Sequence, residues 1–194
     1  MIKAAGIDLS LTGTGSVGVP GDWGLDWRRI TRASHGVSLD HRTLKRKPTT
    51  REITHRLRDV SRDVVRWVLR EGITHVFVED ALTHGAWNLV PLAEMRGVFR
   101  VELLEQTGLD PVFVNQANSR KFLLGKLPPK DRKEVVVAEL RKAGADFEDG
   151  DQFDAFVAVN RHLEDLGAAH LQELRQPFEV VKAKKPRARK AAAA

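Results

Sequence analysis

Ile73-Thr74-His75-Val76-Phe77-Val78-Glu79 is a short run of β-branched and aromatic residues that closes on an acid. It reads as a buried strand. What precedes it sets its direction. Ile53, Leu57, Val60, Val64, Trp67 and Val68 recur at helical spacing, Thr49 or Thr50 caps the start with Glu52 in the first turn, and Gly72 ends the helix. Earlier still, Lys3-Ala-Ala-Gly-Ile-Asp-Leu-Ser10 reads as another buried strand. Strand, helix, strand in that order makes the two strands parallel. Their acids, Asp8 and Glu79, then meet at the C-terminal edge, where open α/β sheets bind ligands. Asp80 points to the opposite side of an extended chain, so Glu79 is preferred. Asp8 lies in an otherwise apolar segment, where a lone carboxylate costs several kcal/mol to desolvate unless paired or bound to a cation. The competing reading of Asp8 is a turn-forming residue that caps local backbone groups.

Working outward, Gly13, Gly15 and Gly18 alternate with small polar residues, and Val17 and Val19 lead into the turn signal Pro20-Gly21-Asp22. Leu25, Trp27 and Ile30 follow, so three antiparallel strands are expected from the start of the chain, with residues 31–49 as a connector. Beyond Glu79, a helix is expected over Leu92–Thr107, where the interior Gly97 predicts close approach of another backbone. A further parallel strand spans Pro111–Asn115, a short helix starts at Asn118 or Ser119, another covers Asp131–Ala143, and 151–166 and 168–175 are helical. The expected class is α/β: a mixed five-stranded sheet, three antiparallel then two parallel strands, flanked by helices. One domain occupies residues 1–176. Residues 177–194 form a basic tail whose Lys/Ala/Pro/Arg composition cannot build a core, so it is expected to be disordered.

The acidic helix opens Asp149-Gly-Asp-Gln-Phe-Asp154. Acids in a first turn suit the helix dipole, and that alone accounts for ordinary helix starts. Asp151 and Asp154, however, are three apart and share a face, which suits a hard divalent cation such as Mg²⁺. The charge distribution sharpens the choice. The net charge is +6, and the tail carries six basic residues and no acid, so the first 181 residues are formally neutral. Within them the signs segregate: ten Lys or Arg against four acids over 40–70, and five acids with no base over 146–154. A basic flank beside an acidic centre suits a protein that holds a polyanion against metal ions. Arg58, Arg62, Arg66 and Arg70 form a ridge that either meets phosphates or is neutralised by Asp59 and Asp63. There is no cysteine, which excludes disulfides and thiolate metal sites. No apolar run reads as a signal peptide or membrane span, so a cytosolic protein is expected. Scarce methionine and plentiful arginine are compatible with a thermophilic source.

Four features together resemble RuvC-type Holliday-junction resolvases of the ribonuclease H-like superfamily. They are Gly6-Ile7-Asp8 before a glycine-rich turn, Val78-Glu79, Met95-Arg96-Gly97-Val98, and Asp151-x-x-Asp154-Ala155, in matching order over about residues 3–160. Leu9-Ser10 stands where the family often has Pro-Gly, and Leu82 where it carries an aromatic wedge; Trp87 or His84 are possible substitutes. The resemblance implies a two-metal nuclease, with Mg²⁺ or Mn²⁺ as two ions per site. By that resemblance Asp8 would bridge both ions, Glu79 would hold one, and Asp151 with Asp154 the other. No histidine or lysine base is required. The family's homodimer nicks two opposed strands of four-way junction DNA, in the cytoplasm of a bacterial cell or a phage-infected host, and involves no small-molecule substrate and no membrane.

Nucleic-acid contacts are expected from Lys45, Arg46, Lys47 and Arg51, and from Arg120, Lys121, Lys130, Arg132 and Lys133, all holding phosphates rather than reading bases. Leu82 or Trp87 would wedge between bases, although packing at a loop–helix joint explains them as well. Three other readings compete. One is a ribonuclease H-like nuclease acting on RNA or RNA–DNA hybrid. Another is a sugar-kinase or actin-type fold, which needs two such domains and a longer chain. The last is a non-catalytic nucleic-acid binder whose carboxylates are structural.

Overall fold

A five-stranded mixed sheet carries the molecule. The computed structural model describes residues 2–10, 13–21, 26–36, 48–80, 89–125 and 132–171. β1 (Lys3–Asp8), β2 (Gly13–Pro20) and β3 (Thr31–Gly36) pair antiparallel in turn. β4 (His75–Glu79) and β5 (Val112–Val114) run parallel to β1. The helices are α1 (Thr50–Glu71), α2 (Leu89–Thr107), α3 (Gln116–Leu124), α4 (Arg132–Lys142) and α5 (Gly150–Leu163). This is the ribonuclease H-like arrangement, with three antiparallel strands followed by two parallel ones.

Two-residue periodicity sorts each strand between two cores. On β1, Ala4 packs with Phe153, Phe156, Val157 and the rest of the α5 side, whereas Ala5, Ile7 and Leu9 pack under α1 and α2. On β4, Phe77 joins the α5 side and Val76 and Val78 the other. Parity therefore sends Asp8 and Glu79 toward α5 and Asp80 away from it. Asp80 meets Arg96 of α2 at 2.7 Å, and the same guanidinium donates to the Glu79 carbonyl at 2.9 Å.

Helix α5 lies directly on the backbone of β1 and β2. A Cβ at Gly6 would run into the Ala155 carbonyl, and one at Gly15 into the backbone of Asp151. Polar contacts fix its first turn. Asp149 caps it by accepting from the backbone N–H groups of Asp151 (3.0 Å) and Gln152 (2.8 Å). Gln152 Nε2 donates to Ser34 Oγ on β3 at 2.8 Å. On the other face, α1 begins at a full capping box between Thr49 and Glu52 and ends at Gly72 in the left-handed conformation.

Several local expectations are corrected. Trp27 is not on a strand: Trp27–Arg29 is a single 3-10 turn capped by Asp26, and β3 occupies residues 31–36, expected as connector. The spacing Trp27 to Ile30 is three, which fits that turn and not a strand. Trp27 Nε1 donates to the Ala143 carbonyl at 2.6 Å, and its ring packs on Phe147 and Phe156. Helix α3 begins at Gln116 because Asn115, not Asn118 or Ser119, caps it. Residues 168–171 are not helical, and 172–194, including the tail, lie outside the described residues. At Gly97 no described atom would stand within 4 Å of a Cβ, so no backbone among the described residues approaches it; the glycine lines a cavity of about 380 Å³ with Ala93, Arg100 and Phe113. The arginine ridge is largely neutralised within the fold. Arg62 pairs with Glu102 at 2.9 Å, Arg70 with Glu71 at 3.4 Å, and Arg58 reaches Asp59 at 3.7 Å.

His35 links three elements. Its Nε2 lies 3.0 Å from Ser16 Oγ and its Nδ1 2.8 Å from Asp63 Oδ2, with Trp67 edge-on. Ser16 has no exposed surface, so this Ser-His-Asp chain offers no nucleophile to a substrate. Burial holds the imidazole pKa below its ordinary value, against the opposing pull of Asp63, and Arg70 adds to the lowering. The native state therefore binds fewer protons here than the unfolded chain, and this contribution to stability is lost as pH falls below about 6.5.

Two measurements follow. In urea denaturation, Gly6→Ala should lose more than about 3 kcal/mol, whereas Gly97→Ala should be neutral or gain roughly 0.5–1 kcal/mol from helix propensity. The urea midpoint should drop between pH 7.5 and pH 5 in the wild type, and His35→Gln should remove part of that drop.

Candidate active site

Three of the four expected carboxylates converge. Asp8 ends β1, Glu79 ends the adjacent parallel β4, and Asp154 lies one turn inside α5, with one oxygen of each within 4.8 Å of the others. The contact of α5 with Gly6 and Gly15 is what closes this distance. Asp154 is 3% exposed, and Asp8 and Glu79 are half-buried. Asp151 is not one of the three. It sits a turn earlier, half-exposed, with Oδ1 3.3 Å from Lys133 Nζ.

Two cations from other elements face the acids. Lys133, at the start of α4, reaches Asp154 Oδ2 at 2.9 Å as well as Asp151. Gly150 leaves room for it, since a Cβ there would sit 2.7 Å from Lys133 Cε. Arg120 of α3 donates from Nη2 to Asp154 Oδ1 at 2.7 Å. Gln116, one turn before Arg120, donates from Nε2 to the Asp154 carbonyl at 3.0 Å and to Oδ1 at 3.3 Å. Sequence reading missed Gln116 because it placed the start of α3 two residues too late. Its i,i+4 spacing to Arg120 is the signal that a correct cap would have exposed.

The electrostatics are those of crowded, buried acids. Burial raises the Asp8 pKa well above the carboxylate range, and the charges of Glu79, Asp154 and Asp151 raise it further against a smaller pull from Lys133. Glu79 is also raised, by burial and then by Asp154. Arg120, Lys133 and a hydrogen bond from the Asp8 carboxyl pull the other way. Burial opposes the charge on Lys133, but Asp154, Asp151 and Asp8 outweigh it and push its pKa up. Four acids against two bases leave the ionised cluster two positive charges short. All the donors are oxygens, which suits a hard divalent ion such as Mg²⁺ or Mn²⁺.

Of the residues expected to hold nucleic acid, the structure brings Arg120 and Lys133 into this cluster. Lys121 is exposed on α3, and Arg51 on the first turn of α1 lies beside His55. Arg132 opens α4, but its side chain is outside the described set. Lys45, Arg46, Lys47, Leu82, His84, Trp87 and Lys130 lie outside the described residues.

The sheet order and its flanking helices are those of the ribonuclease H-like α/β fold. RuvC from Thermus thermophilus superposes with a TM-score of 0.60 at 17% identity, covering 87% of this chain and 99% of that one. The same protein bound to a Holliday junction substrate gives 0.60 at 15% identity, covering 88% and 99%. Fowlpox virus resolvase, solved with substrate Holliday junction DNA, gives 0.52 at 12% identity, covering 85% and 99%. No protein-family model matches the chain, and no curated protein matches its sequence.

Because Asp8 and Glu79 titrate high in the folded state, the cluster stabilises the fold at low pH and loses that contribution as pH rises through the raised pKa values. In metal-free buffer at pH 8, Asp8→Asn should raise Tm by roughly 2–4 °C, the shift about 1 kcal/mol makes in a domain of this size. At pH 4 it should change little. Mg²⁺ should raise the wild-type Tm at pH 8 but not that of Asp8→Asn, by differential scanning fluorimetry.

Proposed function

We propose that this protein is a metal-dependent endonuclease that resolves four-way DNA junctions. The observation that carries the reading is the convergence of Asp8, Glu79 and Asp154 within 4.8 Å at the C-terminal ends of two parallel strands, in a fold shared with solved junction-bound resolvases. Asp8, Glu79 and Asp154 would hold one divalent cation. The second ion of a two-ion site would fall to Asp151 and Asp154, the pair that Lys133 neutralises, with Asp8 shared between the two ions. Bound ions supply an activated water and offset charge on the leaving oxygen of the phosphodiester.

The protein's own groups do the rest. The three carboxylates come from rigid elements, so their spacing is set before any ligand arrives. Arg120 and Lys133 occupy the acids in the ligand-free state. Each has a better partner in a phosphate oxygen once cations neutralise Asp154, so the same two side chains then hold the scissile phosphate. Phosphates farther out would fall to Lys121, Arg51 and the basic segments around 45–47 and 130–132, none of which reads sequence. Residues 1–176 make up the nuclease domain. The six positive charges beyond residue 181 extend its attraction for DNA. A four-way junction has two-fold symmetry, and an isologous homodimer would present two such sites to opposed strands.

The test is cleavage of a mobile four-way junction labelled on each arm, with and without Mg²⁺ or Mn²⁺, beside duplex DNA and an RNA–DNA hybrid. Paired symmetric nicks confined to the junction are expected only with metal. Asp8→Asn, Glu79→Gln, Asp154→Asn and Asp151→Asn should each slow cleavage by about 10³-fold while junction binding persists. An active Asp151→Asn enzyme would remove Asp151 from the site. Cleavage of the hybrid in preference to the junction would move the protein to RNA processing, and tight binding with no cleavage would make it a non-catalytic binder.

A further inference from the structure

Gln116 is the first residue of α3 and is 6% exposed, a long polar side chain with almost no contact with water. Its amide has one evident task. Nε2 donates to the Asp154 carbonyl at 3.0 Å and to Asp154 Oδ1 at 3.3 Å, so a single NH₂ group grips both the main chain and the side chain of one residue of α5. The two acceptors fix the sense of the amide, because the flipped form would set oxygen against oxygen. Oε1 is buried and has no hydrogen-bond partner among the described residues. An uncompensated buried acceptor is unfavourable. A leucine at this place would fill similar space without it, so packing alone does not explain a glutamine.

The other donors to the Asp154 carboxylate are of a different kind. Arg120 at 2.7 Å and Lys133 at 2.9 Å are full cations, and both compete with a metal ion for the same oxygens. Both contacts would be weakened by repulsion from a divalent cation held at Asp154. A neutral amide meets no such repulsion, and its hydrogen bond to Oδ1 is compatible with the carboxylate binding a cation through its remaining lone pairs. We infer that Gln116 is a positioning residue that holds the Asp154 carboxylate in its metal-binding orientation once Arg120 and Lys133 have let go.

This inference rests on the metal-dependent nuclease reading and is tested separately from it. Mn²⁺ binding to the DNA-free protein is titrated by isothermal calorimetry for wild type, Gln116→Leu, Gln116→Met and Asp8→Asn, with urea stability measured in parallel. Cleavage of a four-way junction is then followed against Mn²⁺ concentration. Both Gln116 variants conserve volume and should fold, and they should bind Mn²⁺ about tenfold more weakly. Their cleavage curves should shift to higher Mn²⁺ by the same factor, while the rate at saturating metal stays within about threefold of wild type, as expected for a group that orients a ligand and touches no reacting atom. Wild-type affinity in both variants, with only stability lowered, would show that Gln116 merely ties α3 to α5 and would overturn the inference alone. Equal Mn²⁺ binding by wild type and Asp8→Asn would overturn the metal site itself, and this inference with it.

Discussion

The backbone contact between α5 and the first hairpin governs the rest of this structure. Gly6 and Gly15 present no Cβ to the helix, so Ala155 and Asp151 rest on bare strand. A side chain at either glycine would run into the helix backbone and push α5 off the sheet. The core beneath the helix, from Phe153 and Phe156 to Val17 and Val19, would then be underpacked. The same displacement would carry Asp154 away from Asp8 and Glu79. Packing and site geometry thus depend on one contact, and the site cannot be loosened without loosening the fold.

What that contact assembles is electrostatically unfavourable by itself. Burial and mutual repulsion raise the pKa values of Asp8 and Glu79 in the folded protein. A fold under no constraint but stability would disperse these acids. Lys133 and Arg120 relieve Asp154 and Asp151, but they reach from α4 and α3, and neither bonds Asp8 directly among the interactions of the described residues. On the proposed reading, a divalent cation would relieve this repulsion, and a phosphate would draw off the two cations. The hydrogen-bonded links of Ser34, Gln152 and Asp149 hold the first turn of α5 in register with β3.

The architecture was legible because it rests on local patterns that tertiary context left intact. The α1 stripe, its Thr49 cap and Gly72 stop, and the acid-terminated strands at Asp8 and Glu79 all appear where periodicity put them. Strand parity also separated Glu79 from Asp80. The failures have equally local causes. The apolar series Leu25, Trp27 and Ile30 suggests a strand, but Trp27 opens a 3-10 turn capped by Asp26, and its indole N–H donates to the Ala143 carbonyl. Gly97 was read as a packing glycine, yet it borders an open cavity, a distinction no sequence pattern makes. In the site, Asp151 and Asp154 look equivalent at i,i+3. Only the seating of α5 on Gly6 and Gly15 decides that Asp154 enters the cluster while Asp151, which shares Lys133 with it, stays outside. The roles of Lys133 and Gln116 depend on helices converging from distant parts of the chain, and sequence spacing carries no such information.

The most direct test of the central claim, that these carboxylates form a divalent-cation site, is anomalous diffraction from crystals grown with Mn²⁺. The account predicts a manganese peak bonded to oxygens of Asp8, Glu79 and Asp154, with the Lys133 ammonium displaced from Asp154. Occupied crystals with manganese only elsewhere, and Lys133 still bridging Asp151 and Asp154, would contradict it.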